Sequence, residues 1–235
     1  MKWQAPQPRR VLLLDGEMPA AALQERFADI LANADGDPPG DDYIRLLASD
    51  LCEQGIPDLS TKEGQDALAP HIGDAELIVI DNLSTICRSG KENASESWGC
   101  VQAWALEQRR AGRSVLFIHH AGKGGEQRGT SKREDVMDSV IKLSLPEDYY
   151  PSDGARFVVA FTKSRGFHGS DADPFEAMLK DGIWSTKDIQ DGLAEQVYQL
   201  SIDGMTQRNI GSQLGISATK VNRLIAKHKE FPACR

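Results

Sequence analysis

The sequence predicts an α/β fold followed by a small all-α domain. Three short apolar runs, each followed directly by polar side chains, occur in the first half of the chain at Val11–Leu14, Leu77–Ile80 and Val115–Ile118. Runs of this kind are typical of parallel strands that are buried on both faces. Helical patterns separate them, which is the alternation that builds an α/β sheet. From Leu193 onward the sequence shows helical patterns only.

The composition fits one sizeable α/β domain with a small appendage. The chain has 235 residues, of which 40% are hydrophobic. No stretch approaches the length of a membrane span, and the N-terminus lacks the charged-then-apolar pattern of a signal peptide. Four scattered cysteines form no C-x-x-C pair, so the sequence predicts neither a zinc site nor a disulfide framework. We therefore expect a cytoplasmic protein without membrane partners.

The charge is divided unevenly along the chain. The net charge is −8, which argues against a uniformly basic nucleic-acid-binding protein. From Leu193 to the end, however, six Lys and Arg residues stand against three Asp and Glu residues, so this segment carries +3 and the rest −11. This asymmetry predicts a small basic module at the C-terminus.

Strands and helices alternate in the first half of the chain. Two prolines among the first ten residues indicate a lead-in loop, and Pro19 stands where a first helical turn would begin. Apolar residues at helical spacing predict the helices, and Gly112 ends the last of them. In order, the predicted elements are a strand over 11–14, a helix over 20–34, a strand over 43–49, a helix over 62–70, a strand over 77–81, a helix over 98–111 and a strand over 115–118.

The second half is predicted to contain β-structure and then three helices. Alternating apolar residues predict strands within 136–145 and over 156–162, and a hairpin over 175–184. Helices are predicted over 193–202, 206–214 and 218–229, with Thr206 and Ser217 as N-caps and Gly215 in the last turn. The sequence thus predicts a core domain over 1–184, a linker over 185–192 and a helix-turn-helix module over 193–235.

Acidic side chains at the ends of two predicted strands are candidates for catalysis at a phosphate group. Ligands of an open α/β sheet bind where the strands end, so Glu17 and Asp81 are expected to be neighbours there. Asp81 could hold Mg²⁺ directly or through water, and we assign Asn82 to the same cofactor site. Glu17 could polarise a water for attack on a phosphate. Helix capping by Asp81 and a favourable position of Glu17 at a helix N-terminus are the alternatives.

The third predicted strand ends in His119 and His120. Adjacent residues on a strand point to opposite faces, so the two imidazoles are not expected to share one metal ion. A single histidine that senses a γ-phosphate is the functional interpretation, and a packed histidine is the alternative.

Basic residues in two further segments could act on phosphate or nucleic acid. Lys163 and Arg165 are two residues apart on an extended segment, so they project to one side and could reach the phosphate of a neighbouring subunit. The glycine-rich loop over 122–134 could contact a phosphodiester backbone. Its candidate residues are Lys123, Arg128, Lys132 and Arg133. The alternative for this loop is a solvated segment without a ligand.

The predicted helix-turn-helix would read DNA through the start of its last helix. The candidate contact residues are Ser217, Thr219, Lys220, Asn222 and Arg223. A three-helix module that contacts protein is the alternative, and the basic excess of the segment favours DNA.

Several of these motifs together resemble the RecA-like ATPases. They are Leu-Leu-Leu-Asp-Gly-Glu-Met at 12–18, Ile-Val-Ile-Asp-Asn-Leu at 78–83, Phe-Ile-His-His-Ala-Gly-Lys at 117–123, Gln-Arg-Gly-Thr-Ser at 127–131 and Lys-Ser-Arg at 163–165. Over Val11–Trp184 the chain is most similar to the RepA-type hexameric replicative helicases of plasmids and mobile elements. The resemblance implies a RecA-like P-loop NTPase core that uses ATP and Mg²⁺, moves DNA and assembles as a homo-oligomeric ring, possibly a hexamer.

The resemblance also implies a role for each candidate residue. Glu17 resembles the catalytic base, and Asp81 the Walker B carboxylate that binds magnesium. His119 and His120 resemble the switch that couples nucleotide state to DNA. Lys163 and Arg165 resemble a finger that acts across a subunit interface. The loops over 88–97 and 122–134 resemble the two DNA loops of the central channel.

One motif of the family is missing from the 235 residues. No G-x-x-x-x-G-K-[ST] sequence occurs, although its backbone N–H groups and lysine cradle the phosphates in P-loop ATPases. The resemblance therefore implies an N-terminally truncated core without the first strand, the P-loop and the first helix. We expect weak or absent ATP binding by these residues and an unpaired strand edge.

Three functional hypotheses follow from the sequence. The first is a DNA-associated ATPase of the helicase or replication class. The second is a non-enzymatic DNA-binding regulator built on a degenerate ATPase scaffold. The third is an interaction scaffold that does not bind DNA.

Overall fold

The protein divides into two compact units, the first ending at Met137 and the second beginning at Asp138. The structure is a computed structural model that describes residues 5–34, 36–88, 94–120 and 134–230. The predicted core domain over 1–184 spans this division. Among the described helices, none has the length and the apolar character that a membrane span needs.

The first unit is built on a parallel sheet with the strand order β2-β1-β3-β4. Its strands are β1 (Val11–Asp15), β2 (Ile44–Ala48), β3 (Leu77–Asp81) and β4 (Ser114–Phe117). Its helices are α1 (Ala20–Ala32), α2 (Lys62–Ile72), α3 (Leu83–Ile86) and α4 (Ala94–Arg110). The structure confirms the α/β fold and the order of strands and helices that the apolar periodicity predicts.

One face of the parallel sheet carries the main core. Leu12 and Leu14 of β1 lie in register with Ile78 and Ile80 of β3, and all four are buried. Helices α2 and α4 contribute to the same core, mainly through Leu68, Ile72, Trp98, Val101 and Trp104. Burying each large apolar side chain contributes about 1.5–3 kcal/mol, so this core holds the strand ends in fixed positions.

Strand β4 lies at one edge of the sheet and pairs with β3. Leu116 and Ile118 are exposed at this edge to 45% and 36%. The edge is therefore apolar as well as unpaired within the described sheet.

The second unit begins with an antiparallel sheet in the order β5-β6-β7-β8. Its strands are β5 (Ser139–Ser144), β6 (Ala155–Ser164), β7 (Phe175–Lys180) and β8 (Ile183–Asp188). Arg156 of β6 makes ion pairs of 2.9 Å with Glu176, Asp153 and Asp148. Hydrogen bonds to these carboxylates, that of Glu176 first, raise the pKa of Arg156 above its ordinary value. The network fastens the segment before β6 to the sheet.

Three helices follow the antiparallel sheet. They are α5 (Ile189–Ile202), α6 (Gln207–Gln213) and α7 (Ala218–Glu230). Their shared core contains the buried residues Ala194, Val197, Ile210, Val221, Leu224 and Ile225. All three helices lie where the sequence predicts them, although α5 starts four residues earlier than expected.

Two predicted irregular segments are wrong in whole or in part. The predicted linker over 185–192 consists of the end of β8 and the start of α5, because Thr186 and Asp188 pair with Ala177 and Phe175 of β7. Its polar side chains lie on an edge strand, where solvent accommodates them. Residues 94–97 of the predicted loop over 88–97 belong instead to α4, which begins at Ala94.

Candidate functional site

The ends of β1, β3 and β4 meet at one edge of the parallel sheet. Asp15 at the end of β1 lies in register with Asp81 at the end of β3, and the Gly16 N–H donates to the Asp81 carbonyl at 2.6 Å. The Ile118 N–H after β4 donates to the Ile80 carbonyl at 2.9 Å. The side chains that follow the three strands are thereby held beside one another.

A tight turn carries Glu17 from β1 toward β3. The buried Asp15 carboxylate accepts hydrogen bonds from the backbone N–H groups of Glu17 and Met18 at 2.8 and 2.7 Å. A Cβ at Gly16 would lie 2.2 Å from Thr85 Oγ1, so only glycine allows this close approach. The Asp-Gly-Glu sequence therefore forms a turn that packs directly against α3.

Both oxygens of the Glu17 carboxylate have partners. The Asn82 side-chain amide donates to Oε1, and His120 Nε2 lies 3.3 Å from Oε2. The Glu17 side chain is 42% exposed and that of His120 is 69% exposed. The structure thus brings together Glu17 and His120, which the sequence predicts as neighbours, and adds Asn82 as their link to β3.

The carboxylate of Asp81 is partly buried and lies near other carboxylates. Burial, and then the nearby carboxylates of Asp15 and Glu17, raise the pKa of Asp81, while His120 and Arg26 oppose this shift. Within the described part of the chain, no side-chain or backbone donor is hydrogen-bonded to this carboxylate. A cation at Asp81 would relieve this excess of negative charge.

These residues fit a magnesium ion held mainly by its substrate. The described residues contain no group of three His, Cys, Asp or Glu side chains that could enclose a metal. Mg²⁺ usually binds through one or two carboxylates, several waters and phosphate oxygens. Asp81 can supply the single carboxylate of such a site, whereas Asp15 is buried and its Oδ1 accepts two hydrogen bonds from its own turn.

Asn82 is fully buried, and its side chain makes three hydrogen bonds. Its Oδ1 accepts from the backbone N–H groups of Ser84 and Thr85 at 2.9 and 3.3 Å and caps α3, while its Nδ2 donates to Glu17. The sequence predicts a cofactor contact for Asn82, and that role stays a prediction.

The remaining catalytic candidates lie in other surroundings. His119 is partly buried and His120 is exposed, and both follow β4, which ends at Phe117. Lys163 lies on β6 and pairs with Val140 of β5. Arg165 follows β6, and its backbone N–H donates to the Asp138 carbonyl at 2.9 Å. Both belong to the second unit. Their action across a subunit interface stays a prediction.

The nucleic-acid candidates fall into two groups. Lys123, Arg128, Lys132 and Arg133 lie outside the described residues. At the start of α7, Ser217, Thr219, Asn222 and Arg223 are exposed and Lys220 is partly buried. Ser217 Oγ accepts from the Lys220 N–H at 3.2 Å, as the predicted N-cap requires.

Sequence reasoning missed three residues that shape these sites. Asp15 and Gly16 form the turn before Glu17, and the Asp-Gly dipeptide was a usable turn signal. Gly211 allows α6 to approach the next turn, because a Cβ there would lie 2.6 Å from the Ile216 carbonyl. No local pattern indicated that contact.

Comparisons with known proteins support the fold and a family. A family model described as AAA domain matches residues 1–126. The crystal structure of a KaiC-like protein from the hyperthermophilic archaeon Pyrococcus horikoshii OT3 is similar, with a TM-score of 0.53 and 15% identity over 76% of this chain and 75% of that chain. The crystal structure of the RadB recombinase is also similar, with a TM-score of 0.52 and 14% identity over 77% and 80%. No curated protein sequence matches the chain. The fold is therefore RecA-like, as predicted.

Proposed function

The chain belongs to the AAA domain family of ATPases, and we propose that it is a DNA-associated ATPase of the RepA-type helicase class. In this proposal, ATP hydrolysis at the interfaces of a homo-oligomeric ring is coupled to movement of DNA. The observation that carries it is the meeting of Glu17, Asp81 and His120 at one sheet edge from three separate strands. Capping alone would not require an acid, a second acid and a histidine in one place.

The proposed chemistry assigns a separate task to each acid. Asp81 would hold Mg²⁺, which neutralises charge on the phosphate oxygens when bound. Glu17 would accept a proton from water while the water oxygen bonds to the γ-phosphorus. The bond between that phosphorus and its bridging oxygen breaks, and ADP leaves with the bonding electrons. Inorganic phosphate is the second product.

Two features support coupling between this chemistry and a partner. His120 contacts Glu17, so displacement of His120 would change the surroundings of the base. Lys163 and Arg165 lie at the end of one strand, and we propose that they act on the nucleotide of a neighbouring subunit. In this proposal, His120 would link hydrolysis to DNA, and Lys163 with Arg165 would link hydrolysis to assembly of the ring.

The helical tail is the proposed DNA-binding part of this chain. Its last two helices are joined by a short turn, and Thr219, Asn222 and Arg223 are exposed at the start of α7. The segment from Leu193 carries +3 in a chain of −8. Such an excess favours phosphate contacts over a protein partner.

The ATP site proposed here also needs a group that binds the nucleotide phosphates. Because the 235 residues contain no G-x-x-x-x-G-K-[ST], we propose that tight ATP binding needs a phosphate-binding loop in addition to them. Titration of a fluorescent ATP analogue with and without Mg²⁺ tests this for the present chain. Weak binding supports a half-site, whereas tight binding that depends on Mg²⁺ and is lost in Asp81→Asn would show a complete site.

The second candidate is a non-enzymatic DNA-binding regulator, which the missing motif favours. The two candidates differ in DNA-stimulated ATP hydrolysis. Phosphate release that rises with DNA and falls in Asp81→Asn supports the ATPase. Salt-dependent DNA binding without any hydrolysis, in a form of the protein that carries a phosphate-binding loop, would overturn the ATPase in favour of the regulator.

A further inference from the structure

Asn82 connects the proposed base to the backbone of the next helix. Its side chain is 0% exposed, and each of its polar atoms is used. Oδ1 accepts from the N–H groups of Ser84 and Thr85, and Nδ2 donates to Glu17 Oε1. The amide is therefore fixed at its oxygen end before it reaches Glu17.

We propose that Asn82 is a positioning residue for Glu17, which holds Oε1 and leaves Oε2 for the attacking water. The proposal rests on the proposed function of Glu17 as the base. It replaces a nucleotide contact of Asn82 with an indirect role that is exercised through another side chain.

The two partners of Glu17 differ in how firmly they are held. His120 is 69% exposed and lies 3.3 Å from Oε2, so water can compete for this contact. Asn82 is buried and accepts hydrogen bonds from two backbone N–H groups, so water competes less for its contact with Oε1 than for the contact of His120 with Oε2. One oxygen of the base is thus fixed while the other is exchangeable.

The residue type at position 82 also fits this role. Asn, Asp and Ser are about equally good helix N-caps, so capping of α3 alone does not require asparagine. Of the three, only asparagine offers an amide donor to a carboxylate. An aspartate would add a negative charge beside Glu17, where Asp15 and Asp81 are already close.

Two variants separate positioning from capping. Asn82→Ser keeps an acceptor for α3, so we expect its urea unfolding midpoint to be close to that of the wild type. Asn82→Asp also keeps the acceptor but buries a negative charge beside Glu17, so its midpoint should fall. At saturating ATP, in a form of the protein that carries a phosphate-binding loop, we expect kcat to fall about 10-fold in Asn82→Ser and further in Asn82→Asp, with KM nearly unchanged. Thr61→Ala removes the cap of α2, and Thr61 has no hydrogen bond to Glu17 or Asn82 among the described residues. It controls for lost stability and should leave kcat unchanged.

A second measurement does not depend on hydrolysis. In ¹H–¹⁵N spectra of the present chain, the Asn82 side-chain amide signals should move in Glu17→Ala, because their acceptor is gone. Unmoved signals would overturn the proposal.

The kinetic results separate the two proposals. Equal kcat values for the wild type, Asn82→Ser and Asn82→Asp, together with impaired Glu17→Gln, would overturn positioning and leave the base assignment standing. Unimpaired hydrolysis by Glu17→Gln would overturn the proposed function and the positioning role with it. Moved amide signals in that case would still show that the contact exists.

Discussion

The two candidate sites of this protein are built in different ways. At the edge of the parallel sheet, Glu17 meets His120, which is 103 residues away in the sequence. In the helical tail, the candidate DNA contacts from Ser217 to Arg223 lie within one turn and one helix. The first site therefore depends on the packing of a whole unit, whereas the second depends on a local conformation that one cap and one turn establish.

Different kinds of substitution should therefore disrupt the two sites. The sheet-edge site can be disrupted without touching any of its charges, because Gly16 and Asn82 determine where the Glu17 carboxylate lies. The tail keeps its contact residues adjacent as long as α7 forms. Substitutions in the two regions should accordingly have separable effects, and the following experiments test that separation.

The largest expected effect is on hydrolysis at the sheet edge. In a form of the protein that carries a phosphate-binding loop, Glu17→Gln should lower kcat for ATP hydrolysis about 10²- to 10⁴-fold, because a general base contributes on that order. Phosphate release at saturating Mg-ATP measures it. DNA affinity of the tail, followed by fluorescence anisotropy, serves as the control and should stay unchanged. A variant with wild-type kcat would contradict the assignment of the base.

The next effect is on DNA binding by the tail. Replacing Lys220 and Arg223 together by alanine should weaken DNA binding about 10- to 100-fold at low salt and reduce the salt slope by about 2, since each phosphate contact releases counterions. Anisotropy titrations at several salt concentrations measure both quantities. Lys187→Ala, which removes an exposed charge from β8, is the matched control. Equal losses in the control and in the double variant would favour a tail that does not bind DNA.

A pair of glycine variants compares the two regions directly. Gly211→Ala should destabilise the tail by about 1–3 kcal/mol, because the new Cβ would lie 2.6 Å from the Ile216 carbonyl. Gly16→Ala should cost a similar amount at the sheet edge, where it meets Thr85. Urea unfolding followed by circular dichroism measures both variants.

The matched control for the tail is Ser212→Ala, an exposed substitution that should change stability by less than about 0.5 kcal/mol. Only Gly16→Ala should also disturb the signals of the Asn82 amide. Disturbance of these signals by Gly211→Ala would show that the two regions are not separable.

The smallest expected effect is the pH dependence of stability due to Asp81. Burial and the neighbouring acids raise the pKa of Asp81 in the folded state, so the folded state binds its proton more tightly than the unfolded chain does. The stabilisation is therefore present below the unfolded pKa and is lost as the pH rises through the folded pKa.

Asp81→Asn should accordingly flatten this dependence and raise the free energy of unfolding near neutral pH, while it removes the proposed magnesium ligand. Urea midpoints at about pH 4 and about pH 7.5 compare the variant with the wild type. A variant that is less stable than the wild type at neutral pH would contradict the stated electrostatics.

The features that depend on neighbouring residues follow from the amino-acid sequence alone. Apolar runs that end in polar groups located β1, β3 and β4, and the N-caps Thr206 and Ser217 located α6 and α7. Such features were readable because strand periodicity and capping involve residues only a few positions apart.

The contacts between distant segments follow from the packing of the folded chain and not from local sequence patterns. The hydrogen bond from Asn82 to Glu17, the approach of Gly16 to Thr85 and the pairing of residues 185–188 with β7 all join segments whose distance depends on packing. Asn82 shows the limit most clearly, because the sequence assigns it to the cofactor site and indicates no contact with Glu17. Its link to the proposed base exists only once β1 and β3 lie side by side in register.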